Sequence, residues 1–252
     1  MLSKNLIKYI HSLEMKKFRT REGAFVAEGP KVVEDLMETM PPKRLIYTEE
    51  WTIGKQADGV QMDIVTEEEL SRLSFLQHPQ KVLAVFDIPS NNLTGNYVKE
   101  FEGKLTLALD SVQDPGNLGT IIRIADWFGI ETIICSHETA DVYNPKVVQA
   151  TMGSIARVKV IYTDLKETLK NLAGHMPIYG TFLNGDNIYK HNLTAHGVIV
   201  MGNEGRGISD EVARLVTDRI MIPNYPEGRK HADSLNVAIA TAITCSEFRK
   251  KS

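Results

Sequence analysis

From about residue 104 onward, short apolar runs alternate with helical patterns, and this alternation limits what the chain can fold into more than any other feature. Strand candidates fall at 105–109, 131–135, 157–161, 178–182, 198–201 and 219–222. Runs such as Leu105-Thr106-Leu107-Ala108-Leu109 and Val198-Ile199-Val200-Met201 are apolar almost throughout, as buried strands are. Helices fit between most of them, and a last helix is expected over about 234–249. The fold class that follows is α/β, a mostly parallel sheet with helices on both faces.

The preceding part reads as a smaller α/β unit. An amphipathic helix is expected around 3–14, then an apolar segment from Ala24 to Ala27, then a helix opening at Pro30, where a missing N–H costs nothing. Strand-like runs follow at 43–47, 60–65 and 81–86, and Thr66 with Glu69 forms a capping-box pattern for a short helix over 66–73. The turn-rich stretch from Ile88 to Asn96 marks a linker. The expected domains are therefore 1–90 and 104–252, joined by 91–103.

With 252 residues, 42% of them hydrophobic, the chain can bury a substantial core. Cys135 and Cys245 show neither a metal-ligand spacing nor a disulfide framework, which favours core thiols in a reducing cytoplasm. The seven histidines are scattered, so no metal site is expected. The first residues lack a signal-peptide core, and no apolar run approaches the roughly 18 residues of a membrane span. A net charge of −3 argues against indiscriminate coating of nucleic acid. Locally, however, residues 1–22 carry Lys4, Lys8, Lys16, Lys17, Arg19 and Arg21 against only Glu14 and Glu22. That face is either a phosphate-binding patch or a solvated helix and turn.

Three loops of small and amide-bearing residues follow buried strands in the second part. The first is Asp114-Pro115-Gly116-Asn117-Leu118-Gly119, with Asn117 placed to cap the next helix. On that helix Leu118, Ile121, Ile122, Ala125 and Phe128 share the apolar face, and Thr120, Arg123 and Trp127 lie on another. From spacing alone, Arg123 is either a cation for a phosphate or developing oxyanion, or a surface arginine in a salt bridge. The second loop, Gly202-Asn203-Glu204-Gly205-Arg206-Gly207, lacks both the dinucleotide fingerprint and a Walker lysine. The third runs from Ile222-Pro223 to Ser234-Leu235-Asn236, where Asp233 or Ser234 can cap the last helix and Asn236 falls in its first turn. Ligands of open α/β sheets bind at such strand ends, so the three loops suggest one composite site.

Together these residues resemble the three motifs of the SpoU/TrmH family, the RNA ribose 2′-O-methyltransferases of the SPOUT superfamily. Asn117, Gly119 and Arg123 match the first motif, Gly202 to Ile208 the second, and Ile222-Pro223 with Ser234-Leu235-Asn236-Val237 the third. The N-terminal part, with Lys16-Lys17 and Phe25-Val26-Ala27-Glu28-Gly29, resembles the ribosomal-protein-like RNA-binding domain many members carry. One departure is the link 224–233, longer than is usual in the family; its basic residues are candidates for RNA contact.

The resemblance implies a SPOUT domain with a deep trefoil knot, S-adenosyl-L-methionine as cofactor, and a homodimer acting on RNA, rRNA rather than tRNA. By position, Thr181, Gly202, Asn203, Ile222 and Leu235 would meet the cofactor. Asn117, Arg123, Glu204, Ser234 and Asn236 would form the catalytic set, and Lys16, Lys17, Arg19 and Arg21 the RNA-binding one. An alternative keeps the fold as an RNA-binding or ribosome-assembly factor without turnover.

Overall fold

The computed structural model describes residues 2–51, 59–93, 97–226, 229–230 and 232–250. In chain order the first elements are α1 (Lys4–Ser12), α2 (Lys16–Glu22), β1 (Ala24–Glu28), α3 (Pro30–Met37), β2 (Arg44–Tyr47), β3 (Gln61–Ile64), α4 (Glu67–Ser71) and β4 (Val82–Asp87). There follow α5 (Val98–Phe101), β5 (Leu105–Leu109), α6 (Pro115–Trp127), β6 (Thr132–Cys135), α7 (Pro145–Ala150), β7 (Lys159–Tyr162) and α8 (Leu165–Leu172). The last are β8 (Ile178–Asn187), β9 (Gly197–Met201), α9 (Asp210–Ala213), β10 (Asp218–Met221) and α10 (Val237–Arg249). By contacts the chain divides into two compact units, Met1–Ser90 with Asp141–Arg157, and Asn91–Ala140 with Val158–Ser252.

The first unit is built on a four-stranded sheet of order β1-β4-β2-β3, with β4 antiparallel to both neighbours and β2 parallel to β3. Because successive strand residues point to opposite faces, Ala24 and Val26 join Leu6 and Ile10 of α1, and Leu13 just after it, on one side. Phe25 and Ala27 join Val32, Val33 and Leu36 of α3 on the other. Val148 of α7 belongs to this second cluster, and Tyr143 packs on Phe25 with ring centroids 4.7 Å apart. The capping box expected at α4 is present in full. Part of the expected linker, residues 94–96, lies outside the described residues.

The second unit holds a six-stranded sheet of order β10-β8-β9-β5-β6-β7, in which every neighbouring pair is parallel. All residues of β5 and β9 are buried, as a sheet covered on both faces requires. Leu165, Leu169 and Leu172 of α8 and Val212 of α9 pack on one face with Ala108, Ile134 and Val200. Helices α6 and α10 pack against each other. From β5 the chain moves outward through β6 and β7, whereas β9 lies on β5's other side. The carboxyl ends of β5 and β9 therefore flank the point where strand order reverses, the usual place for a ligand.

Two helix starts differ from expectation. Helix α6 begins at Pro115 and is capped by Asp114, whose carboxylate accepts the Asn117 N–H at 2.7 Å; Asn117 lies inside the helix. Helix α10 is capped by Asn236, not by Asp233 or Ser234. Strand β8 also runs five residues past its expected end at 182. Ile178–Gly180 pair with β9, and Tyr179-Gly180 and then Asp186-Asn187 pair with β10, across a register shift at Arg219/Ile220.

Candidate active site

The third loop fixes the orientation of the whole site. Asn236 caps α10 by accepting the N–H groups of Ala238 and Ile239 on its Oδ1, at 2.9 and 3.3 Å. That assignment leaves its Nδ2 as a donor, and it donates to Asn117 Oδ1 at 2.9 Å. The amide of Asn117 is thereby oriented as well, so its own Nδ2 must find an acceptor. The acceptor is Glu204 Oε1 at 3.1 Å. One relay thus joins a side chain from each of the three loops.

Glu204 also accepts the backbone N–H groups of Gln113 and Asp114, at 3.2 and 3.1 Å. It occupies the approach to the N-terminus of α6, where an anion is favoured. Partial burial alone would raise its pKa. Hydrogen bonds from Asn117, from its own backbone and from Asp114 and Gln113 outweigh that effect and hold the carboxyl below its usual range. A carboxylate so engaged is a weak proton acceptor.

The second loop is closed on itself. Asn203 and Gly207 exchange backbone N–H bonds, both 2.9 Å. The Asn203 side chain accepts the N–H groups of Gly205 and Arg206 and donates to the Ser111 carbonyl at 2.7 Å. Here glycine is required twice. A Cβ on Gly202 would lie 2.2 Å from the Gly207 carbonyl carbon, and Gly207 holds φ at +71°.

Over these strand ends lies a cavity of about 450 Å³. Thr181, Gly202, Asn203, Ile222 and Leu235, the five residues expected to meet a cofactor, all line it, as do Glu204 and Ser234. Thr181 donates its hydroxyl to the Val200 carbonyl at 3.1 Å. Phe182, at the end of the expected strand, and Leu183 and Asn184, from the extension of β8, also line the cavity and were missed as site residues in the sequence. Asn117 and Asn236 join the site through Glu204 rather than through the cavity wall. Arg123 is exposed and outside the lining, and among the described residues no hydrogen bond or ion pair engages its guanidinium. The salt-bridge reading of Arg123 therefore has no support.

In the basic segment, Lys16, Lys17 and Arg21 are exposed, and the cations of Lys17 and Arg21 each lie 4.8 Å from the Phe18 ring. Arg19 is a correction. Only 2% exposed, it donates to the Leu13 and Glu14 carbonyls and pairs with Asp141, so its charge is spent inside the fold. Among the described residues no group of three or more metal-ligating side chains occurs. In the long link, Glu227, Gly228 and His231 lie outside the described residues.

A parallel sheet with a cavity lined by two loops at its switch point, and a third loop hydrogen-bonded to both, has the layout of a ligand-binding α/β domain. Residues 104–246 match the model of the SpoU rRNA Methylase family, and residues 4–84 that of the MRM3-like substrate binding domain. The chain belongs to the SpoU rRNA methylase family, and its parallel sheet with flanking helices is a SPOUT-like core. It is 30% identical over 241 residues to the Bacillus subtilis 23S rRNA (guanosine(2553)-2′-O)-methyltransferase RlmP, covering 94% of this chain and 93% of that one. A TrmH-family structure from Porphyromonas gingivalis superimposes with a TM-score of 0.89 at 42% identity, covering 100% of both chains. An AdoMet-bound rRNA methyltransferase from Sinorhizobium meliloti gives a TM-score of 0.84 at 31% identity, covering 99% of this chain and 96% of that one.

Proposed function

We propose that this chain methylates ribose 2′-hydroxyls of RNA, with ribosomal RNA as the substrate class and S-adenosyl-L-methionine as the methyl donor. The observation that carries the reading is the Asn236–Asn117–Glu204 relay, which ties the first motif loop to the second and third, the two that line the cavity. The cavity fits the donor. Its volume lies within the range of nucleoside-sized ligand sites. Its walls combine apolar Ile222, Leu235 and Val237 with the small loop residues Gly202, Gly205 and Gly207 and with Ser234. The relatives support it too: RlmP is a 23S rRNA 2′-O-methyltransferase, and the Sinorhizobium structure holds AdoMet.

Thr181, Gly202, Asn203, Ile222 and Leu235 would hold the cofactor, whose sulfonium supplies an electrophilic methyl group. The protein's own task is alignment and charge. Arg123, a guanidinium left unengaged among the described residues, clamps an RNA phosphate and stabilises the alkoxide forming at the 2′-oxygen. Glu204 does not take the proton, because N–H donors already occupy its oxygens. Water or the neighbouring RNA phosphate is left as acceptor. Exposed Lys16, Lys17 and Arg21 supply further phosphate contacts, and Arg229 and Lys230 add two more cations in the long link.

Three finer points belong to the same reading. The domain is a homodimer, as the family resemblance implies; Trp127 on α6, 85% exposed, and Ile239 on α10, 53% exposed, are apolar side chains available to a second copy. The C-terminal domain takes the trefoil-knotted form, which family membership supports. Its compartment is the cytoplasm, in keeping with two free, buried cysteines.

Calorimetric titration with S-adenosylmethionine, with NAD as control, tests the reading; binding of NAD alone would contradict it. Arg123→Lys separates clamp from base. The clamp predicts a loss of about 10- to 100-fold in kcat with the pH profile unmoved, since lysine lacks the bidentate fork. Full activity with an alkaline-shifted profile would instead show a titrating base.

A further inference from the structure

We infer that Asp110 is a positioning residue for methyl transfer, a clasp that holds both ends of the Gly202–Gly207 loop against the end of β5; the inference rests on the methyltransferase reading above. Asp110 follows β5 directly and is only 5% exposed. Its backbone N–H donates to the Met201 carbonyl at 2.9 Å, just before the loop. Its carboxylate accepts the Ser209 N–H at 2.7 Å, just after it, and the Ser111 hydroxyl at 3.4 Å. One buried residue thus grips the chain on both sides of Glu204.

The grip is extended by Ser111. It adopts φ of +62°, a conformation that costs energy for any residue but glycine. Its N–H donates to the Ser136 hydroxyl at 3.0 Å, and its carbonyl accepts Asn203 Nδ2 at 2.7 Å. The turn sends its carbonyl to the second loop while Asp110 holds that loop's far end. Two segments that share no sequence proximity are therefore fixed at three points, and the relay through Glu204 depends on their spacing. Asp110 lines no part of the cavity, so its effect on the reaction passes entirely through the loop.

Three variants of the purified, full chain test this, each assayed for kcat, cofactor KM, RNA affinity and thermal midpoint. Asp110→Ala is expected to lower kcat by about 10- to 100-fold, the scale on which a small misplacement acts, with RNA affinity unchanged. Asp110→Asn, which keeps an oxygen acceptor for the Ser209 N–H, should restore most of the loss. Ser209→Pro removes the donor while leaving Asp110 intact, and the φ of −62° at Ser209 suits proline. It should reproduce the Asp110→Ala defect even if that variant folds poorly. Lowered midpoints with kcat per folded molecule unchanged would overturn the inference, as would a fully active Ser209→Pro. An inactive wild type would instead count against the methyltransferase reading, which separates the two failures.

Discussion

Glu204 is solvent-exposed in the single chain, yet it ends a relay whose orientation is dictated from the far end by the capping of α10. Exposed hydrogen bonds add little net stability, so its substitution should cost function more than fold. Glu204→Gln places an amide where four N–H donors converge, and kcat is expected to fall by about 10- to 100-fold while the thermal midpoint near neutral pH falls only by the small contribution of the depressed carboxyl. Its lowered pKa also gives a pH signature. A carboxyl depressed in the folded state stabilises the protein above the ordinary carboxylate range, and that contribution is lost as pH falls through the folded value. Midpoints measured from pH 7 down to pH 3 should therefore decline less steeply for Glu204→Gln than for wild type; parallel curves would contradict the assigned shift. The glutamate, the two asparagines and the loop glycines were all singled out in the sequence, and the structure brings them together. Their division of labour was not, because hydrogen bonds between positions 87 and 119 residues apart leave no periodic trace.

At the scale of elements, the strands were readable because burial on both faces demands nearly continuous apolar runs, as in β5 and β9. Helix starts were not. Asp114 and Asn117 both suit a cap, as do Asp233, Ser234 and Asn236, and residue preference alone does not choose among neighbours. The choice matters functionally. With Asp114 as cap, the Asn117 side chain is released from helix duty and can join the relay. Asn236 does both jobs, and Asn236→Asp separates them. Aspartate keeps the oxygen that caps Ala238 and Ile239 but removes the donor to Asn117. The thermal midpoint should hold while activity falls by about tenfold or more, as for one lost hydrogen bond to an oriented group. Unchanged activity would show that the relay is not needed. Asn236→Ala, by contrast, should also lose about 1 kcal/mol of stability through the missing cap.

For the molecule as a whole, the two-part organisation was visible in texture, but one feature was not. The crossover between β6 and β7, neighbours in the second unit's sheet, carries Asp141–Arg157, and that segment clusters with the first unit. It is fastened there by Arg19–Asp141 and Asp35–Arg157, each pair separated by 122 residues. This is why Arg19 read as part of a basic surface: its partner lies half a chain away. Removing one member of a buried pair strands the other, so Arg19→Met should destabilise by about 3–5 kcal/mol in a denaturant titration, whereas Lys16→Ala or Lys17→Ala should change stability by less than about 0.5 kcal/mol. The central claim, that three loops locked by one relay carry out ribose methylation, is tested most directly by methyl transfer itself. Ribosomal RNA lacking the modification would be incubated with the protein and S-adenosylmethionine labelled in the methyl group, then hydrolysed with alkali. The label is expected in alkali-resistant dinucleotides, the mark of a blocked 2′-oxygen, and to fall at least about tenfold with Asn236→Asp. Label recovered on a base, or no transfer despite cofactor binding, would contradict the account.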